Sequence, residues 1–275
     1  VAAGKKAVIV GGGYIGLEAA AVLNKLGMNV TVLEMATRVL ARVTAPEMSE
    51  FYHRVHTEEG VNIHCGVVVS GFEGGEEGEG GEVKHVTCQD GASFEADLVI
   101  VGVGIVPNVE LAEAAGLKVD NGIVVNEFAC TEDPDIVAAG DCTNHPNKCL
   151  GRRLRLESVP NAVEQAKSAA ASICGHDKIY ASIPWFWSDQ YDLKLQISGM
   201  NQGYDQVIIR GDREISRSFV VFYLKGGKLV SADCVNRPKE FMVAKQILAK
   251  GIDVDIAMLA DESIEPKSVD RKSVV

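Results

Sequence analysis

The residues with the clearest chemical purpose lie near the start of the chain: Gly11, Gly13 and Gly16 in G-x-G-x-x-G spacing, then Glu18 and, further on, Glu34. A turn built this way can hold a dinucleotide. Gly11 allows the tight turn, Gly13 lets a pyrophosphate approach the backbone, and Gly16 lets helix and strand pack closely, with the helix N-terminus facing the phosphates. A carboxylate about twenty residues beyond the turn hydrogen-bonds a ribose 2'-hydroxyl and repels a 2'-phosphate, so Glu34 favours NAD over NADP. Arg38 is the one neighbouring residue that could admit a 2'-phosphate.

The elements that must position these groups can be read around them. Lys6 to Val10 is a short apolar run, Tyr14 to Leu26 carries helix-forming alanines and leucines that stop at Gly27, and Asn29 to Leu33 supplies a second strand ending in Glu34. An isolated glycine turn binds nothing in many proteins. Strand, turn, helix, second strand and acid in this order favour the dinucleotide reading. A helix-like stretch follows near Ala45 to Glu59. Val67 to Phe72, Val83 to Cys88 and Ser93 to Phe94 then read as a small antiparallel meander, with GFEGGEEGEGGE as a solvated hairpin tip. Ala96 to Val101 returns to a buried strand and runs into GVGIVPN. Later comes TEDPDIVAAGD, read as a turn at Pro134, an apolar strand from Ile136 to Ala139, Gly140 and a terminal Asp141.

Composition bounds the class. The chain has 275 residues, 47% hydrophobic and 24% charged, enough apolar material for two or three cores. No run of about eighteen apolar residues exists, and no charged-then-apolar leader precedes the first strand, so a cytoplasmic setting is the expectation. Seven cysteines at irregular spacing, with no CxxC, argue against a disulfide framework and a thioredoxin-like pair. A net charge of −11 argues against general nucleic-acid or anionic-membrane binding. Cys142, His145 and Cys149 have a C-x2-H-x3-C spacing that could suggest zinc, but with only three ligands in the cluster no metal is expected.

The succession GGGYIGLE, GVGIVPN and TEDPDIVAAGD resembles the two-dinucleotide flavoprotein reductases, which hold NAD(P)H in one Rossmann-like domain and FAD in another. With ESVPNA at Glu157 to Ala162, PWFWSDQ at Pro184 to Gln190 and VNRP at Val235 to Pro238, the chain is similar to the putidaredoxin and rhodocoxin reductase group of ferredoxin reductases. The likeness runs to about residue 265. It implies an α/β two-dinucleotide-binding fold in three parts: a Rossmann-like NAD domain over 1–107, the C-terminal part of a FAD-binding domain over 108–181, and a C-terminal α+β domain over 182–275. In this group the FAD domain begins first, so the resemblance implies a fragment that starts after that N-terminal half. The tail 270–275 looks like translated adapter sequence, with an ordinary charged tail as the alternative.

The resemblance also assigns roles. NADH would lie on Gly11, Gly13, Tyr14, Ile15, Gly16 and Glu34, with Glu18 contacting the nicotinamide amide. FAD would meet Gly104, Asp141 on its ribityl chain, and Val159 and Pro160 at a helix N-terminus that suits an anionic reduced flavin. Trp185 and Trp187 would lie near the flavin, shielding it or marking the electron exit, against a plain packing role. Hydride would pass from NADH to FAD and single electrons to a small iron-sulfur ferredoxin feeding an oxygenase. No nucleophile or acid–base pair is required for that. Lys148, Arg152, Arg153, Arg155, Lys167, Lys194 and Lys245 are candidates for a basic rim that steers an acidic ferredoxin, or simple solvated charges. Two alternatives share the scaffold: a monodehydroascorbate-reductase-like enzyme, and an NADH-binding redox sensor of the apoptosis-inducing-factor type. Disulfide reductases fit poorly, because His145-Pro146 lies far from where their C-terminal His-Pro motif belongs.

Overall fold

A computed structural model describes residues 1–75, 81–148 and 150–269; the centre of the glycine and glutamate loop, Cys149 and the tail from 270 lie outside the described residues. The chain divides into two compact units. The first comprises Val1–Gly104 with Ser188–Lys194 and Asp212–Arg217; the second comprises Ile105–Trp187, Leu195–Gly211 and Ser218–Val275.

In the first unit, β1 (Lys6–Val10), α1 (Tyr14–Lys25), β2 (Asn29–Glu34), α2 (Pro46–Glu58) and β3 (Asn62–Cys65) lead into the antiparallel strands β4 (Val69–Gly74), β5 (Val83–Cys88) and β6 (Ser93–Glu95), and then β7 (Leu98–Val101). The parallel sheet has the order β3-β2-β1-β7, with Ala7 opposite Val30 and Leu98. A parallel sheet must be covered on both faces, and alternate residues of β1 serve the two covers. Ala7 and Ile9 pack with Val30, Val32 and the α1 residues Ala20 and Leu23. Val8 and Val10 pack instead with Leu33 and with Val86 and Cys88 of the β4-β5-β6 meander. Helix α1 therefore covers one face and the meander the other.

The second unit begins with α3 (Glu110–Ala114), β8 (Ile123–Val124), β9 (Thr143–Asn147), β10 (Arg152–Leu154) and α4 (Val159–Ile173). Strand β9 lies between its partners, parallel to β8 and antiparallel to β10. Ile136 to Ala139, expected as a strand, is not one. The segment makes a single bridge from Val137 to Cys130, and the bonds Thr131 N–H to Ile136 O (3.0 Å) and Ala138 N–H to Ala129 O (3.0 Å) close it on the turn that precedes it. Its ladder bonds go to the residues just before it, which gives a local hairpin-like fold in place of a sheet strand.

The remaining strands, β11 (Trp185–Gln190), β12 (Leu193–Gly199), β13 (Gln206–Arg210), β14 (Phe219–Lys225) and β15 (Lys228–Val235), form one sheet in the order β11-β12-β15-β14-β13, followed by α5 (Pro238–Lys250) and α6 (Ile256–Ala260). Phe241, Ala244 and Ile247 of α5 bury against Val220, Phe222, Leu224 and Cys234 of the sheet. Gly251 ends α5 in the left-handed conformation (φ 60°), where a side chain would be strained. Buried Arg210 fastens the segment after α6: its guanidinium donates to Asp261 O at 2.8 Å and Ile264 O at 2.6 Å, and lies 3.6 Å from Glu240. Arg210→Leu strips three acceptors of their partner, so unfolding in urea should show a loss of about 3 kcal/mol. Arg237, which also touches Glu240, keeps the loss toward the lower end of the range for broken buried pairs.

Candidate functional site

Close backbone contact explains the glycine turn. Gly11 has φ 107°, and a Cβ there would strike the carbonyl oxygen of Gly102 at the end of β7. A Cβ at Gly16 would strike the carbonyl of Gly11 itself, so α1 crosses the turn at backbone distance. Gly13 differs: it is the N-cap of α1, and nothing lies within 4 Å of where its Cβ would be. Among the described residues its lack of a side chain serves no neighbour. Ile15 is exposed beside it and Tyr14 is half-buried.

Glu34 is held by both oxygens. Gly12 N–H donates to Oε2 at 2.6 Å and Ala36 N–H to Oε1 at 2.7 Å, so the carboxylate at the end of β2 is tied to the turn across the sheet edge. Arg38 is committed elsewhere. Its guanidinium donates to Ala41 O at 3.1 Å, Thr44 O at 2.9 Å and the Ser49 hydroxyl, which fixes the loop before α2. Burial, with Glu34 as a lesser cause, pushes the nearby Cys65 thiol up, away from reactivity. Glu18, one turn into α1, accepts from the buried Ser188 hydroxyl at 2.5 Å. Gly104 closes the β7 loop with φ 120°.

In the second unit Gly140 donates its N–H to Gln165 Oε1 at 2.8 Å, and a Cβ on Gly140 would touch Ala162 Cβ at 3.5 Å. Asp141 is thereby held beside the first turns of α4, its carboxylate exposed and unbonded among the described residues. Ser158 caps α4, accepting from Asn161 N–H at 3.2 Å, and Pro160 stands in the first turn. Val159 is exposed. A cleft of about 780 Å3 opens here, lined by Lys148, Ser158, Pro160, Glu164, Trp185 and Lys245 among others. Trp185 stacks at 5.7 Å on Trp187 and at 5.6 Å on Phe241, and the Lys245 ammonium sits 4.6 Å over its ring. Trp187 keeps 43% of its surface exposed, which leaves an aromatic face open to solvent.

Not all the basic candidates are free. Arg153 donates to Val125 O at 2.6 Å, and Arg155 pairs with Glu157 at 2.8 Å and reaches Asp141 O at 3.2 Å; both are structural. Lys167 pairs with Glu164 and Arg152 with Gln202. Lys148 and Lys245 are the two that line the cleft. Of the zinc-like spacing, Cys149 lies outside the described residues, while the His145 ring is fully buried edge-on to Tyr180 at 5.1 Å. Among the described residues no group of His, Cys, Asp and Glu is arranged to hold a metal, and no helix is long and apolar enough to cross a membrane.

Residues 2–166 match the model of the pyridine nucleotide-disulphide oxidoreductase family. The chain belongs to that family. Residues 185–269 match a second model, the reductase C-terminal domain. Curated relatives include putidaredoxin reductase of Pseudomonas putida, 48% identical over 97% of this chain and 63% of that protein, and rhodocoxin reductase of Rhodococcus erythropolis, 41% identical over 94% and 60%. Among solved structures, the covalent putidaredoxin reductase–putidaredoxin complex superposes with TM-score 0.93 at 48% identity, over 98% of this chain and 64% of that one. Its mixed α/β fold is that of the putidaredoxin reductase and ferredoxin reductase structures over the length they share. It spans about three fifths of the length of the curated relatives it matches.

Ser188 was not among the candidates drawn from the sequence. A signal for it exists, since Ser188 and Gln190 alternate with the exposed Trp187 and Asp189 and so take the inward positions of β11, where polar residues need partners.

The two glycines make opposite predictions. Gly16→Ala forces α1 off the turn and should cost about 1–3 kcal/mol in urea unfolding. Gly13→Ala should leave unfolding nearly unchanged and weaken NADH binding by about tenfold or more in a fluorescence titration, because its methyl group would enter only the open space at the N-terminus of α1. A third prediction concerns acid. Burial pushes the His145 imidazole down to about 4 from 6.5. Its stabilising contribution is complete above the unfolded value and is lost as pH falls toward the folded one, because only the unfolded chain takes up the proton in that window. Denaturation midpoints measured across this range should fall less steeply for His145→Phe than for the parent.

Proposed function

We propose that this chain is the NADH-binding and partner-facing portion of a FAD-dependent NADH:ferredoxin reductase that delivers electrons to an iron-sulfur protein serving an oxygenase. The observation that carries the reading is the coexistence of a dinucleotide turn with open space at Gly13 and of an exposed, unpaired Asp141 carboxylate beside the capped N-terminus of α4. Named relatives support it: putidaredoxin reductase, and the ferredoxin–NAD(+) reductase component of an anthranilate 1,2-dioxygenase system, 40% identical.

When bound, NADH supplies a hydride and FAD converts it into single electrons. The residues of the chain bind and orient. Gly11, Gly13, Tyr14, Ile15 and Gly16 receive the pyrophosphate at the N-terminus of α1, and Glu34, held by two backbone N–H groups, takes the adenosine ribose and rejects a 2'-phosphate. Arg38, bound into its own loop, does not offset that rejection. Glu18 contacts the nicotinamide amide. Gly104, Asp141, Val159 and Pro160 face FAD, and the helix N-terminus behind Pro160 favours negative charge there. Trp185 and Trp187 lie on the way out for electrons, with Lys148 and Lys245 drawing an acidic ferredoxin to the cleft. The working division is an NAD domain over 1–107, a FAD-binding portion over 108–181 and a C-terminal domain over 182–275, in a cytoplasmic protein.

The test is stopped-flow reduction of the FAD-loaded holoenzyme by NADH, followed by mixing with a [2Fe-2S] ferredoxin. Fast flavin reduction and fast onward transfer are expected. Trp187→Ala should slow only the second step, and Lys148→Glu with Lys245→Glu should slow it by about tenfold at low salt while flattening its salt dependence. Flavin reduction without transfer to ferredoxin overturns the enzyme reading in favour of an NADH sensor; rapid reduction of monodehydroascorbate instead turns it to that activity.

A further inference from the structure

Glu18 ends a buried line of hydrogen bonds within the first unit. The Ser188 hydroxyl donates to Glu18 Oε1 at 2.5 Å, Gln190 Nε2 donates to Ser188 Oγ at 3.0 Å, Gln190 Oε1 lies 2.8 Å from His56 Nε2, and His56 Nδ1 lies 3.2 Å from the Tyr191 hydroxyl. Ser188, Gln190 and His56 are 1%, 0% and 0% exposed, so the middle of the line is closed to water while its two ends are part-buried.

The carboxylate sets the direction of every link. A carboxylate only accepts, so Ser188 must spend its proton on Glu18 and take its own bond from the Gln190 amide nitrogen. The Gln190 carbonyl oxygen then faces His56, whose proton must sit on Nε2, leaving Nδ1 as acceptor for the Tyr191 hydroxyl. All donors point the same way, from Tyr191 toward Glu18, an arrangement in which each bond polarises the next. Burial favours the states this needs: it pushes the His56 imidazole down, toward neutrality, and the Tyr191 phenol up.

An architectural role alone does not account for the arrangement. The tip that carries Tyr191 is already fastened by Arg217, which pairs with Asp192 at 2.6 Å and Glu59 at 2.9 Å, and by Lys25, which donates to Tyr191 O at 3.1 Å. Apolar residues at 188, 190 and 56 would fasten it as well, at less desolvation cost. What the polar line adds is a fixed Glu18. One carboxylate oxygen is clamped, while Oε2 makes no bond among the described residues.

We propose that Ser188, Gln190 and His56 form a positioning relay that holds Glu18 in one orientation, so that its free oxygen accepts the carboxamide N–H of the nicotinamide ring. This rests on the reading of Glu18 as the nicotinamide contact. A clamped acceptor selects a donor at the ring substituent and plays no part in holding the adenine half.

NADH is titrated by its fluorescence, and ADP-ribose by competition, into the parent, Glu18→Gln, Ser188→Ala, Gln190→Met and the Glu18→Gln/Ser188→Ala pair. Ser188→Ala and Gln190→Met should each weaken NADH by about tenfold and leave ADP-ribose unchanged, and Ser188→Ala should add nothing once Glu18 is Gln. Gln190→Met preserves shape and decides the matter should Ser188→Ala fold poorly. Equal weakening of both ligands, or full additivity with Glu18→Gln, overturns the relay. If Glu18→Gln weakens NADH and neither relay variant does, the relay alone falls; if Glu18→Gln has no effect, the nicotinamide contact falls with it.

Discussion

Everything in the dinucleotide half depends on one approach between backbones. Where α1 leaves β1, Gly16 passes over the carbonyl of Gly11, and Gly11 lies against Gly102 at the end of β7. Any side chain at either contact would strike an oxygen. The absence of Cβ atoms lets the helix start directly over the sheet edge, which aims its unpaired N–H groups at the space beside Gly13. The same turn supplies the Gly12 N–H that Glu34 accepts, so the open helix N-terminus and the acid are set by one geometry.

The sheet makes that turn rigid. Alternate β1 residues enter the α1 core and the meander core, so neither end of the strand can shift without disturbing a packed face. Around the rim, polar groups that look available by composition are largely spent on holding loops. Arg38, Arg153 and Arg155 all donate to backbone carbonyls. The exceptions therefore carry information: the exposed Asp141 carboxylate, the second oxygen of Glu18, and the Trp185–Trp187–Lys245 cluster at the cleft are placed with capacity unspent.

Much of this was legible in the residue order. The strand–turn–helix unit, the acid at Glu34, the meander and the helix N-terminus at Val159 and Pro160 follow from short-range chemistry, namely periodicity, glycine spacing and turn residues. Each is decided within about twenty residues, the span over which sequence spacing translates directly into geometry. The segment Ile136 to Ala139 marks the limit of that logic. Its apolar run meets the local criteria for a strand, yet its ladder bonds go to the residues just before it, Ala129 to Thr131.

The sequence by itself determined the family, the class of cofactor turn and the acid, Glu34, that closes on that turn. Tertiary structure alone decided which side chains remain free and which are committed. His56 meets Gln190, and Glu18 meets Ser188, across more than a hundred positions of chain; alternation along the strand marks Ser188 and Gln190 as inward but not which partners they find. Their meeting depends on the tip between β11 and β12 grouping with α1 and α2 in the first unit. Burial there removes water as a partner, and only then must each donor find its single acceptor.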